Sequence, residues 1–174
     1  MTDVTKSDEP VIDTSVTEGF SMEPPSGSET FGATVAPLGR ALGLTGLGAM
    51  LISLEPGKRA FPFHNHLGND ELFVILEGSG TFRFGDKTFP VGPGSVCGAP
   101  KGGADTAHQL INSGEAVLRY IGVSTLQDPD ICEYPDSAKF SAFAVAPGPD
   151  FMNAHLRFVG RREDSRNYWE GEAE

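Results

Sequence analysis

His64 and His66 stand two residues apart, Glu71 follows five residues later, and His108 lies forty-two residues beyond His66. Three of the four histidines in the chain and one carboxylate therefore fall in a spacing that can hold a metal ion. A β-strand sends residues i and i+2 to the same face, so both imidazoles can reach one ion while Asn65 points away. Three neutral imidazoles and a carboxylate form a borderline donor set, suited to one divalent transition metal: Fe, Mn, Ni, Co, Cu or Zn. On a six-coordinate ion, four such ligands leave two positions open for a bidentate substrate or dioxygen. Asp70 is an equal rival to Glu71 on residue type alone. His155, isolated in Ala154-His155-Leu156, reads as an ordinary surface or core residue.

These side chains need strands to position them. Leu67-Gly68-Asn69-Asp70 reads as a turn, and Glu71 opens the apolar run Leu72 to Leu76, which ends at Glu77-Gly78. Read as a hairpin, this places Glu71 opposite the histidine pair. An all-apolar run predicts a strand covered on both faces. Leu47 to Leu54 predicts an earlier strand, closed by the turn Glu55-Pro56-Gly57. Thr81 to Phe84 and Lys87 to Val91 predict a hairpin about Gly85-Asp86. His108 to Asn112 and Ala116 to Thr125 predict another, about Ser113-Gly114-Glu115. In the second of these, Val117, Arg119, Ile121 and Val123 share one face, and Leu118 and Tyr120 the other. Ile131 to Tyr134 and Phe140 to Val145 are candidate edge strands. No long amphipathic run and no repeat is visible, so the expected class is all-β with a single barrel.

The spacing Gly57-x6-His64-x-His66-x4-Glu71-x6-Gly78 resembles the first motif of the cupin family. The segment from Gly92-Pro93-Gly94 through Ser95 to Ala99 to His108-x3-Asn112 resembles its second. Two departures stand out: one extra residue after Gly57, and five residues between Gly102 and His108 where about two are usual. The resemblance spans roughly residues 47 to 124. The segments Tyr134-Pro135-Asp136-Ser137 and Gly160-Arg161-Arg162-Glu163-Asp164 are similar to those of a subgroup of small bacterial cupins.

The resemblance implies a single cupin jelly-roll, a double-stranded β-helix barrel, over residues 31–146. A flexible N-terminal arm would occupy 1–30 and a C-terminal extension 147–174. It favours Glu71 over Asp70, and it makes His64, His66, Glu71 and His108 the metal ligands and Asn112 a structural or supporting residue. Phe73, Ile75, Phe82, Phe84, Leu110 and Tyr120 become pocket candidates. Arg83 and Arg119 are either solvent-facing strand arginines or anchors for a carboxylate or phosphate. Tyr120 and Glu77 are candidates for a separate acid or base. The implied function is metal-dependent chemistry on a small molecule, of isomerase, dioxygenase or lyase type. The alternative is a non-catalytic small-molecule binding or sensor cupin. A homodimer is expected, with the arm pairing to the partner's sheet edge.

Composition narrows the partners. A chain of 174 residues is the size of one domain, and 22 glycines with 13 prolines favour short strands and tight turns. A formal net charge of −11 argues against duplex nucleic acid, whose phosphates are bound by clustered Lys and Arg. The arginines of the tail, Arg157, Arg161, Arg162 and Arg166, are diluted by acidic neighbours. Met1 to Pro10 lacks the pattern of a signal peptide, and no segment approaches the ~20 apolar residues of a spanning helix, so a cytoplasmic protein with no membrane partner is expected. Cys97 and Cys132 are too few and too far apart for a disulfide scaffold, and Cys97 reads as a small core residue.

Overall fold

The computed structural model describes residues 9–146 and 153–172. The first eight residues of the expected arm, and 147–152 and 173–174 of the expected extension, lie outside the described residues. In chain order the elements are β1 (Phe20–Met22), β2 (Ala33–Ala36), the short helix α1 (Leu38–Ala41), β3 (Leu47–Leu54), β4 (Asn65–His66), β5 (Glu71–Glu77), β6 (Gly80–Phe84), β7 (Lys87–Val91), β8 (Val96–Ala99), β9 (His108–Ile111), β10 (Leu118–Thr125), β11 (Asp130–Tyr134), β12 (Lys139–Ala144) and β13 (Leu156–Gly160). Among the described residues no helix is long and apolar enough to cross a membrane.

The strands form an antiparallel jelly-roll. One sheet runs β1-β2-β3-β10-β5-β8, a second β13-β12-β11-β4, and a third β7-β6-β9. The second and third are joined at one point, where His64 and His108 exchange both backbone hydrogen bonds, at 3.2 and 2.8 Å. That bridge makes them one curved wall facing the six-stranded sheet.

Alternation decides what fills the space between the walls. On β5, Phe73 and Ile75 point inward, and on β10 Leu118 and Tyr120 do. With Ile52, Leu54, Phe82, Val91, Cys97 and Leu110 they form the main core. Phe73, Ile75, Phe82, Leu110 and Tyr120, expected at a pocket, are thus packed core, and Phe84 lies half-buried against the same cluster. On the outer face of the large sheet, a smaller cluster of Ala36, Leu38 and Leu51 is covered by Ile12 and Leu76. Leu72, by contrast, is 40% exposed. The expectation that Leu72 to Leu76 is covered on both faces is therefore corrected: α1 and the segment around Ile12 reach only part of that face.

Three pairings also differ from the sequence reading. β9 and β10 are not a hairpin; β9 pairs with β6, while β10 lies between β3 and β5. β4 does not pair with β5 but with β11. β11 and β12 are interior strands, because β13, which has no clear sequence signal, takes one edge and β4 the other. In the first two cases the short loop that resembles a turn within one sheet carries the chain from one wall to the other.

Two local features, one steric and one polar, hold the chain where it passes between the walls. Gly78 takes φ +76°, a left-handed conformation, and a Cβ there would collide with the Val117 carbonyl oxygen, so glycine is required. Asn112, fully buried, donates to the carbonyls of Leu54 and Ala116, at 2.7 and 2.9 Å, and accepts from the Gly114 N–H at 3.0 Å. It closes the β9–β10 crossing and takes no part in the histidine cluster. Asn112→Ala leaves buried backbone groups unpaired and is expected to cost about 2–3 kcal/mol in urea unfolding, with the denaturant slope unchanged.

Candidate metal centre

The histidine cluster is built by three separate segments. His64 precedes β4 and His66 ends it; with Asn65 turned aside, they present both rings to the barrel interior. Asn65 is itself buried and donates to the Gly102 carbonyl and to Glu133. Glu71 opens β5 on the opposite wall, and its inward parity aims the carboxylate at the rings. His108 begins β9, held beside His64 by the backbone bridge, with ring centroids 4.7 Å apart. The long loop before His108 is absorbed by a single 3-10 turn, Ala104–Thr106, closed by bonds from the Thr106 N–H and hydroxyl to the Gly103 carbonyl. Asp70 is exposed and caps that loop by accepting from the Lys101 N–H, which removes it as a rival to Glu71.

All three imidazoles converge on one atom. Glu71 Oε2 lies 3.7 Å from His64 Nε2, 3.5 Å from His66 Nε2 and 2.7 Å from His108 Nε2. Donors bound to one ion at about 2.1 Å stand roughly 3.0 Å apart at right angles and roughly 3.4 Å apart in a tetrahedron, so the 3.5 and 3.7 Å separations suit a shared metal, while His108 at 2.7 Å is in hydrogen-bond contact with Glu71. His64, His66 and Glu71 form a compact trio, with ligand atoms within 4.8 Å of one another, and His108 joins through Glu71. Each Nδ1 faces an oxygen that can only accept: His64 the Pro62 carbonyl at 2.8 Å, His66 the Asp130 carboxylate at 2.6 Å, and His108 the Thr106 carbonyl at 3.3 Å. The Nδ1 protons are thereby engaged, and the three Nε2 atoms are left to face Glu71.

The cluster is reachable from solvent. His64, His66 and Glu71 retain 14%, 15% and 18% side-chain exposure, whereas His108 retains 3% and packs against Phe73 and Phe82. Tyr134 stacks on His64 at 6.3 Å, and its hydroxyl bonds to Ser141. Arg83 and Arg119 are already engaged. Arg83 forms a two-pronged pair with Asp136 and lies 3.5 Å over the Phe63 ring; Arg119 pairs with Glu77 and donates to the Thr14 carbonyl. Glu77 ends β5, at the opposite end of the strand from Glu71. Burial, with a smaller contribution from the Glu71 charge, pushes the Tyr120 phenol far above its ordinary range.

The sequence reading missed Asp130, Asn69, Cys132 and Tyr134. Asp130 and Cys132 lie more than sixty residues from His66 and reach it only through the β4–β11 pairing. No local pattern marks them. Asn69, inside the turn after His66, had the turn as its only signal.

The electrostatics oppose one another within the cluster. Burial and the neighbouring His108 lower the His64 pKa to about 4, against the pull of Glu71. Burial also disfavours charge on His66, but bonds to Asp130 and Cys132 and the Glu71 charge outweigh it and raise its pKa to about 10. Glu71 would be raised by burial, yet its bond to His108 and the His66 and His64 charges lower it.

The signs give a testable profile. The folded metal-free protein keeps a proton on His66 that the unfolded chain releases near 6.5, so this stabilisation is complete below pH 6.5 and is lost as pH rises toward 10. His64 penalises folding while the unfolded chain is protonated, so stability rises as pH climbs from about 4 to 6.5. In chelator, urea unfolding should show a maximum near pH 6.5, and His66→Gln should flatten the alkaline arm. Parallel native and variant curves above pH 6.5 would refute the assignment.

Comparison with known proteins fits this picture. A family model described as "Cupin domain" matches residues 50–124. An oxalate-binding protein of Thermotoga maritima is 32% identical over 75 residues, which is 43% of this chain and 59% of that protein's length. A candidate sugar phosphate isomerase of Acidithiobacillus ferrooxidans superposes with a TM-score of 0.74 at 25% identity, over 91% of this chain and 96% of the other. A predicted oxalate decarboxylase of Thermotoga maritima gives 0.56 at 25% identity, over 67% of this chain and 99% of the other. On the jelly-roll and these matches, the chain belongs to the cupin superfamily.

Proposed function

We propose that the chain is a metal-dependent cupin acting on a small molecule, of isomerase, dioxygenase or lyase type. One divalent transition metal would be held by His64, His66, Glu71 and His108. The observation that carries this reading is the convergence of three Nε2 atoms on a single Glu71 oxygen, within 3.7 Å. A divalent ion bound there polarises a carbonyl or hydroxyl oxygen and lowers the pKa of an attached proton.

The protein's own contribution is orientation and a partly dry wall. Phe73 and Phe82 press His108 from behind and keep its ring in place. Tyr134 flanks His64 on the more open side. The substrate class follows from what the site offers: a four-ligand set leaves two positions, which suit a small molecule with two neighbouring oxygens, such as a short carboxylate or a hydroxy-carbonyl compound. Arg83 and Arg119 are tied to Asp136 and Glu77, so the reading of either as a phosphate anchor loses support. The likeness to proteins named for oxalate and for a sugar phosphate supports an oxygen-rich ligand.

A second reading, a binding cupin without turnover, is favoured by the relative named for binding oxalate. Elemental analysis of protein purified without added metal or chelator should find about one equivalent of transition metal, lost in the His64→Ala, His66→Ala double variant. On the loaded protein, oxalate should raise the melting temperature, following the usual dependence on ligand over Kd. If none of iron, manganese, nickel, cobalt, copper or zinc binds, the metal reading fails. Metal binding with ligand stabilisation but no turnover across small carboxylates and hydroxy-carbonyl compounds selects the second reading.

A further inference from the structure

A histidine that ligates through Nε2 must keep a proton on Nδ1, and some acceptor has to hold it there. At His64 and His108 that acceptor is a backbone carbonyl. At His66 it is a carboxylate, Asp130 Oδ2, and the contact is the shortest of the three at 2.6 Å. A bond to a charged acceptor is shorter and stronger than one to a carbonyl.

Asp130 is built into position from every side. It is 2% exposed, and an ionised carboxylate so buried is costly unless its lone pairs are satisfied. Oδ1 accepts from the backbone N–H of Gly68 at 2.9 Å and of Ile131 at 2.8 Å. Oδ2 accepts from Asn69 Nδ2 at 2.7 Å as well as from His66. Asn69 is fixed in turn: its Oδ1 accepts from the Thr125 hydroxyl and the Gln127 N–H. Two backbone donors therefore fix which oxygen faces the ring.

His66, Asp130 and Cys132 also place ligand atoms within 4.8 Å of one another, with Cys132 Sγ 3.1 Å from His66 Nδ1. Both Asp130 oxygens already accept from N–H donors, Oδ1 from Gly68 and Ile131 and Oδ2 from Asn69, and His66 Nδ1 completes that set at 2.6 Å, so the carboxylate is filled by protons. This cluster is a support for His66 and not a second metal site.

Resting on the metal reading above, we propose that Asp130 is the positioning residue of the centre: it holds the proton on His66 Nδ1, aims Nε2 at the Glu71 oxygen, and makes that imidazole the strongest donor of the three. Asp130→Asn is the discriminating change. With Oδ1 still held by Gly68 and Ile131, the amide nitrogen would face His66, a donor against a donor. The ring would then shed its Nδ1 proton or turn away, and either outcome spoils Nε2 as a ligand.

The test uses zinc as the probe, because it is diamagnetic. Chelator competition should give an Asp130→Asn Kd 10- to 100-fold weaker than native, with Cys132→Ala unchanged. Imidazole nitrogen–proton NMR of the native protein, assigned by His66→Gln, should show a protonated Nδ1 on His66 both metal-free and zinc-loaded. A merely structural role would lower the melting temperature without moving that signal. The proposal is overturned by a native protein that binds zinc with His66 Nδ1 unprotonated, a result that needs no variant to fold. It is equally overturned by a folded Asp130→Asn variant with native affinity, or by Cys132→Ala weakening zinc as much as Asp130→Asn does. Failure of native protein to bind zinc at all would instead overturn the metal reading and remove this role with it.

Discussion

Two backbone hydrogen bonds between His64 and His108 hold the rest of the structure in register. They join two short sheets into one wall, and they set two imidazoles side by side by the same act. A slip of one residue in either segment would turn a ring out of the barrel, because side chains alternate along a strand. The fold is therefore closed at its site, and the barrel's integrity and the cluster's geometry depend on one pairing. Glu71 comes from the facing wall, so the cluster also spans the barrel, which neither a hairpin nor a single sheet would achieve.

Placing titratable groups at such a junction carries a desolvation cost, and the structure offsets it by pairing the imidazoles and Asp130. Each Nδ1 has an oxygen, Glu71 lies 2.7 Å from His108 Nε2, and the buried Asp130 accepts from four donors. A half-satisfied polar network destabilises more than an apolar core of the same shape. The aromatic rings of Phe73 and Phe82 then shield one side, so the cluster opens only where His64, His66 and Glu71 retain some exposure.

Much of this was legible in the sequence, for physical reasons that can be named. The i, i+2 spacing of His64 and His66 encodes a strand and a shared face, and the alternation of Leu118 and Tyr120 encodes an inward row. β3 falls on Leu47–Leu54 and the β6–β7 hairpin turns at Gly85-Asp86, as the turn residues dictate. What escaped was non-local. Whether a short loop turns back within a sheet or crosses to the other wall depends on which strand is free to receive it, and Ser113-Gly114-Glu115 carries no mark of that choice. Asp130 and Cys132 meet His66 only after β11 pairs with β4. The extra residues before His108 form the 3-10 turn Ala104–Thr106, a local element that the loop's composition does not announce.

The charges around His66 explain why such a cluster suits a dication. Glu71 and Asp130 contribute two negative charges, and the three imidazoles are neutral when they act as ligands. A divalent ion brings the group to formal neutrality inside a wall that disfavours net charge. Without it, the nearest substitute is a proton, and His66, in contact with Asp130 and 3.5 Å from Glu71, is where that proton is held most tightly. A metal bound at His66 Nε2 would have to displace the proton held there under the influence of the same two carboxylates. Asp130 takes part on both sides of that competition: it favours the proton on Nδ1 in every state, and by holding it there leaves Nε2 as the atom whose proton the ion must displace.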